Sequence, residues 1–297
     1  MNAELEEKVR VSVERLKMFE PKDGYYLAFS GGKDSVVCKA LCDLAGVKYD
    51  AHYRVTSVDP PELVRFIKDK HPDVEFSYPR YPDGKRITMW NLIIKKQVMP
   101  TRWMRYCCAY LKEDAGDGRI VITGVRWAES NARKTNQGSV VVKNPTKEVQ
   151  ESADFKSTKR GGVILVNDNT ESRRLVEQCV LRSRVTVNPI IEWSDDDVWN
   201  FINARCVPYC NLYDNGWTRI GCIGCPLAPR KARVREFAAY PIYEKNYKRA
   251  MHKLLEMRRA AHKDKTPTDE DYWNWWMDAP VSPGQISMDG FEWEGVE

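Results

Sequence analysis

Over residues 3–19 the apolar positions Leu5, Val9, Val11, Val13, Leu16 and Met18 fall at helical spacing. Pro21-Lys22-Asp23-Gly24 breaks that pattern. The next residues, Tyr25-Tyr26-Leu27-Ala28-Phe29, are apolar and aromatic and predict a buried strand, and residues 36–44 resume a helical pattern that Gly46 closes. The same alternation returns with a strand over 52–58, a helix from Pro61, a strand over 74–78 and a core strand over 119–124 that ends in Gly124. Strands alternating with helices imply right-handed crossovers, hence an α/β, Rossmann-like parallel sheet with helices on both faces. Ligands of such sheets bind beyond the carboxyl ends of the strands, where both glycine loops fall.

Residues 134–175 interrupt the rhythm with Asn, Gly, Lys and Thr and read as an insertion, in which 140–142 and 162–166 could pair as a hairpin. Residues 188–191 read as an extended segment. Ser194 then caps a helix carrying Asp195, Asp196 and Asp197 in its first turn. Beyond Ala228 the pattern is mainly helical. The expected organisation is an N-terminal helix (1–21), a nucleotide domain (22–228) with the 134–175 insertion, and a helical C-terminal extension (229–297).

With 42% hydrophobic and 30% charged residues in 297, the chain can bury a sizeable core. It holds no run of 18 uncharged apolar residues, and its first residues are charged, so a cytoplasmic protein without a membrane partner is expected. Nine cysteines in that compartment point to metal binding or redox chemistry rather than disulfides. Residues 229–265 carry twelve Lys or Arg against four acids, whereas 266–297 carry eight acids and no Lys or Arg. The two segments either neutralise each other within the fold or leave a basic face for nucleic acid.

The chemistry concentrates at Ser30-Gly31-Gly32-Lys33-Asp34-Ser35. Two glycines let the backbone turn with positive φ and approach a ligand, and the first amides of the following helix point outward as anion donors. Ser30 and Ser35 add hydroxyls, Lys33 a positive charge, and Asp34 a ligand for Mg2+ bridging phosphate oxygens. Arg126 and Arg133, just beyond the strand ending at Gly124, offer planar forks for phosphate or sulfate. Thr56, Asp59 and Glu62, after the second strand, are candidates for the adenine or ribose side.

The hexapeptide after an apolar strand resembles the pyrophosphate loop of the PP-loop, or adenine nucleotide alpha hydrolase, superfamily. Residues 123–130 with Arg133, Pro189-Ile190-Ile191-Glu192-Trp193, Asp197-Val198-Trp199 and Pro208-Tyr209-Cys210-Asn211-Leu212-Tyr213 are similar to motifs of its phosphoadenosine phosphosulfate reductase family. The resemblance covers about residues 22–228. It implies bound ATP and Mg2+, nucleotide contacts from Ser30 to Ser35 and from Gly124, Arg126 and Arg133, and Lys33 and Asp34 as the catalytic pair. Lys33 and Asp34 complete the ATP-cleaving form of the loop, as in ATP pyrophosphatases that transfer sulfur.

Cys107-Cys108 and Cys222-Ile223-Gly224-Cys225 form two close pairs. Four thiolates can close a zinc site or hold an iron-sulfur cluster. Adjacent cysteines strain a single-metal site more than a cluster, which presents separate irons. The likeness to assimilatory adenylyl sulfate reductases implies a 4Fe-4S cluster, with zinc as second choice. Cys38, Cys42 and Cys179 are expected in the core, with Cys206 and Cys210 as further candidate sulfur carriers. The C-terminal Glu-Cys-Gly-x-His nucleophile of nucleotide sulfate reductases is absent, since the last cysteine is Cys225.

The expected function is therefore ATP α–β cleavage, with adenylation of a substrate, coupled to transfer of sulfur from sulfide or a donor protein, onto DNA or RNA in its concrete form. The competing enzyme is a phosphosulfate reductase releasing sulfite. An iron-sulfur nucleic-acid-binding module using ATP as a switch is the third reading. The run Tyr272-Trp273-Asn274-Trp275-Trp276 either packs a C-terminal helix or stacks bases.

Overall fold

The computed structural model describes residues 1–113, 116, 118–159, 161–180, 183–262 and 268–278. Two compact units form. The first takes residues 1–55, 59–79 and 112–221, and the second takes 56–58, 80–111 and 222–297. The second unit thus includes residues 80–111 as well as the C-terminal segment.

In the first unit the described strands are β1 (Tyr25–Ala28), β2 (Tyr49–Arg54), β3 (Glu75–Ser77), β4 (Val121–Ile122), β5 (Val140–Lys143), β6 (Phe155–Ser157), β7 (Val163–Leu165) and β8 (Arg184–Val187). They make one sheet in the order β3-β2-β1-β4-β8-β5-β7-β6. β3, β2, β1, β4 and β8 run parallel, and β5, β7 and β6 continue the sheet antiparallel. Helices flank this Rossmann-like α/β sheet. Helix Ala3–Met18 buries Leu5, Val9, Ser12 and Leu16, one stripe at helical spacing, and packs beside Lys33–Ala45. Helix Asp195–Arg205 also packs against Lys33–Ala45, and its Ser194 cap accepts a hydrogen bond from Asp197 N–H at 3.1 Å.

Several elements differ in extent from the sequence reading. The strand expected over 52–58 is β2 and ends at Arg54, because the following residues turn away: Ser57 has φ +67°, and Val58 C=O accepts from Ile223 N–H at 2.8 Å in the second unit. Residues 134–175, read as an insertion, supply β5 to β7, so the segment extends the sheet. The expected 140–142 and 162–166 pairing is the antiparallel β5–β7 ladder, with β6 between them in the chain. β8 lies just before the segment read as extended. Its Arg-Val-Thr-Val alternation, with Val185 and Val187 buried and the polar residues half-buried, is the pattern of a strand with one wetter face.

The second unit is helical in its regular elements. Helices Met89–Lys96, Arg230–Ala239, Pro241–Ala260 and Asp269–Trp276 enclose a core that includes Leu92, Ile93, Met99, Tyr247, Leu254 and Trp276. Tyr272, Trp273 and Trp276 are buried there, so most of the aromatic run packs inward, while Trp275 is half-buried. The basic and acidic neighbours meet in part: Arg259 Nη1 lies 2.8 Å and His252 Nδ1 2.6 Å from the Asp269 carboxylate. No helix among the described residues is long and apolar enough to cross a membrane.

Candidate functional site

β1 delivers the chain to the loop at the carboxyl edge of the sheet. Gly31 adopts φ +73°, and a Cβ there would stand 2.8 Å from the side chains of Leu63 and Ile67, so both backbone conformation and space require glycine. Gly32 caps helix Lys33–Ala45, with no side-chain cap of its own. Ser30 and Ser35 brace the turn: their hydroxyls lie 3.2 Å apart, and Ser35 Oγ–H donates to Gly32 C=O at 2.9 Å. The first helical amide, Lys33 N–H, donates to the Tyr213 hydroxyl at 2.9 Å. A phosphate oxygen suits the same donor, since amides at a helix start favour anions.

Behind the turn lies a four-membered ion network. The Lys33 ammonium is buried, 2.8 Å from Asp195 Oδ1 and 3.3 Å from Asp34. The Arg126 guanidinium, 2% exposed, uses all three nitrogens: Nε to Asp34 Oδ1 at 2.8 Å, Nη2 to Asp195 Oδ1 at 2.7 Å, and Nη1 to Trp193 C=O at 3.2 Å. Two cations thus balance two carboxylates. The hydrogen bond from Lys33 holds the Asp195 carboxyl below its ordinary range, against the opposing effect of burial. Gly124 lets the network close, because a Cβ there would stand 2.9 Å from Asp34 Cβ and 3.0 Å from its backbone carbon. Asp34 and Asp195 present hard oxygen ligands suited to a divalent cation, and Lys33 and Arg126 can then turn to phosphate oxygens.

The structure therefore joins Ser30, Gly31, Gly32, Lys33, Asp34, Ser35, Gly124 and Arg126 in one place. Arg133 sits in helix Asn131–Asn136 and ion-pairs with Glu129 one turn earlier. Asp59, buried, accepts from the Tyr53 hydroxyl at 2.5 Å, and both line a cleft of about 340 Å³ that Ser30, Thr123 and Val125 also line. Thr56 falls in the second unit, and Glu62 pairs with Arg65. Asp195 and Tyr213 also belong to the site, by their contacts with Lys33 and Arg126. Asp195 is one of three acids after a capping serine, and the helix dipole accounts for all three equally. Tyr213 carried no signal beyond its place in a family motif.

The four expected thiols, Cys107, Cys108, Cys222 and Cys225, all belong to the second unit. Cys107 and Cys108 form the short helix Tyr106–Cys108, and Arg105 Nη2 approaches Cys108 Sγ at 3.5 Å. Cys222 Sγ lies 3.9 Å from Thr56 Oγ1, and Cys225 N–H donates to Cys222 C=O at 3.3 Å. Gly224 between them has φ +71°, with space for a Cβ closed by the Phe237 ring 2.5 Å away. The Cys107 thiol is pushed up, first by its hydrogen bond with Cys108 and then by burial, with further contributions from Cys108, Cys222 and Cys225. The four thiols therefore share one neighbourhood, although no group of three or more His, Cys, Asp or Glu among the described residues stands close enough to hold a metal ion. Cys38, Cys42, Cys179 and Cys210 are buried in the first unit, and Cys206 is exposed there.

Residues 24–228 match the family model described as the phosphoadenosine phosphosulfate reductase domain. A probable FAD synthase of Caenorhabditis briggsae is 26% identical over 216 residues, 68% of this chain and 29% of that protein. An adenosine 5'-phosphosulfate reductase of Oceanobacillus iheyensis is 49% identical over 41 residues, 14% of this chain and 17% of that protein. The chain spans about a third or less of the length of such curated relatives. Among solved structures, phosphoadenylyl-sulfate reductase from Candida auris superposes with TM-score 0.42 at 13% identity, over 75% of this chain and 96% of that one.

Proposed function

Because the chain belongs to the phosphoadenosine phosphosulfate reductase family, we propose that it is a cytoplasmic PP-loop enzyme that cleaves ATP between the α and β phosphates and couples this to sulfur transfer, with nucleic acid as acceptor. The observation that carries this reading is the closed network of Lys33, Asp34, Arg126 and Asp195 directly behind the glycine turn. A turn that only received a phosphate would need its amides and a cation. The paired carboxylates add what a metal-assisted departure of pyrophosphate requires.

In the proposed reaction a substrate oxygen attacks the α phosphorus. A new P–O bond forms, the bond from the α phosphorus to the bridging oxygen breaks, and pyrophosphate leaves with that electron pair, while the attacking group's proton passes to water. A sulfide equivalent then displaces AMP, so sulfur replaces the adenylated oxygen with no change of oxidation state. Lys33 and the amides of Gly32 and Lys33 stabilise the departing charge, and Arg126 orients Asp34 and Asp195. Asp34 and Asp195 would hold a Mg2+ ion, which would supply charge neutralisation at the phosphates. The four thiols are soft donors gathered in one unit and suit a 4Fe-4S cluster better than zinc, since Cys107 and Cys108 are adjacent in the chain. Cys107, Cys108, Cys222 and Cys225 would hold such a cluster, which would supply a soft, thiophilic metal centre.

The test is pyrophosphate release from ATP by anaerobically purified protein, with iron and sulfide analysis alongside. Asp34→Ala is expected to lower release by about a hundredfold or more. Cys222→Ala is expected to lose iron and acid-labile sulfide while keeping release. Unchanged release in Asp34→Ala removes the ATP reading. The named likeness to an adenosine 5'-phosphosulfate reductase supports a second reading, reduction of a phosphosulfate. Sulfite formed from phosphosulfate without ATP selects it.

A further inference from the structure

The second unit carries an open cavity of about 290 Å³ distinct in composition from the thiol neighbourhood. One of its lining residues is Arg233, in helix Arg230–Ala239, with only 1% exposure. Its Nη1 donates to Trp276 C=O at 2.9 Å and lies 3.9 Å from the Asp278 carboxylate, and the guanidinium sits 4.2 Å from the Trp276 ring centroid. Nε and Nη2 have no hydrogen-bond partner among the described residues. These two nitrogens share one edge of the guanidinium plane, the edge that grips two oxygens of one anion. A buried cation with that edge unmet is costly, and folded proteins retain few such groups without a purpose. Burial accordingly pulls the Arg233 guanidinium below its ordinary range.

Charge and shape narrow the occupant. Arg102 and Arg258 also line the cavity, and among the described lining residues these three cations meet one carboxylate, Asp278. That excess suits a phosphate dianion better than a carboxylate. The other described lining residues are mostly apolar and include Tyr272, Trp275 and Trp276, and Trp103 lines the same cavity while 95% exposed. An indole left in water beside an anion cradle is a platform for a base, since base–aromatic stacking is insensitive to sequence.

We propose that this cavity binds a nucleotide, its phosphate held by Nε and Nη2 of Arg233 and its base stacked on Trp103. Pro226, the residue after Cys225, forms part of the wall, and Arg102 Nε–H donates to its carbonyl at 3.2 Å. The occupant thus lies against the turn that carries Cys222 and Cys225. The site gives the sulfur acceptor of the proposed function a place, but it stands on the second unit alone and does not require ATP cleavage.

Equilibrium dialysis of the full chain tests it without turnover, using thymidine 5'-monophosphate and a short oligothymidylate as probes. A nonhydrolysable ATP analogue is present at saturation to occupy the phosphate loop. Saturable binding of at least one probe is expected, weakened about tenfold or more in Trp103→Ala. Arg233→Lys, which keeps the charge but lacks the two-nitrogen edge, is expected to weaken it similarly. Should Arg233→Lys fail to fold, Trp103→Ala decides alone, since its exposed side chain supports no core. Tighter binding of the oligonucleotide identifies a nucleic-acid strand as the occupant, and equal affinity a free nucleotide. The proposal is overturned if neither probe binds saturably, if Trp103→Ala stays within about twofold of the parent, or if the ATP analogue displaces the probes.

Discussion

Replacing Arg126 with Met keeps most of the aliphatic stem and removes three hydrogen bonds at once. Their worth follows from exposure. The Asp195 side chain is 67% exposed, so its bond contributes at the level of a surface pair, about 0–1 kcal/mol. Asp34 is 24% exposed, and a charge-assisted bond to it contributes about 1.5–3 kcal/mol, reduced because Lys33 remains nearby. The Trp193 carbonyl, on a residue 1% exposed, loses a donor at a cost of about 1–3 kcal/mol. We expect a total of about 3 kcal/mol, near the lower end for breaking a buried ion pair. Urea denaturation followed by circular dichroism measures the loss, and hydrogen exchange over helix Lys33–Ala45 locates it. Arg126→Lys should recover only part, because an ammonium offers one nitrogen where the guanidinium aims three separate nitrogens at Asp34, Asp195 and the Trp193 carbonyl. The double variant Asp34→Asn with Arg126→Met should cost less than the sum of the single variants. A loss under about 0.5 kcal/mol for Arg126→Met, the level of an ordinary surface change, would refute the reasoning.

Two further outcomes test the second unit. Gly224→Ala places a Cβ 2.5 Å from the Phe237 ring at φ +71°, so it should destabilise by about 2–4 kcal/mol and lower the melting temperature; an unchanged melting temperature contradicts the packing described. His252 is raised above its ordinary 6.5, chiefly by its hydrogen bond to Asp269. A raised folded value means its contribution is full below pH 6.5 and fades as pH rises through the higher folded value. The stability difference between parent and His252→Gln, followed from about pH 5.5 to 8.5, should shrink with rising pH, and a flat difference argues against the pairing.

Local signals account for what was legible in the chain itself. The turn from Ser30 to Ser35 needed no tertiary information, because glycine permissiveness and the amides of a helix start are properties of a few adjacent residues. The alternation of strands and helices from Tyr25 to Gly124 indicated a parallel sheet for the same reason: period and order lie within the sequence. Pairing partners do not. β5 to β7 join the sheet through β8, a decision made by ladder hydrogen bonds between strands over forty positions apart, so residues 134–175 looked like an insertion. Asp195 and Arg233 show the same divide at the level of single residues. Asp195 is indistinguishable from Asp196 and Asp197 until Lys33 and Arg126 arrive beside it. Arg233 is one of many basic residues in its segment until folding buries it among tryptophans with one edge unmet. The sequence by itself determined which groups could bind phosphate and thiophilic metals. Tertiary structure alone decided which of them share a site, because Coulomb and hydrogen-bond energies depend on distance in space rather than along the chain.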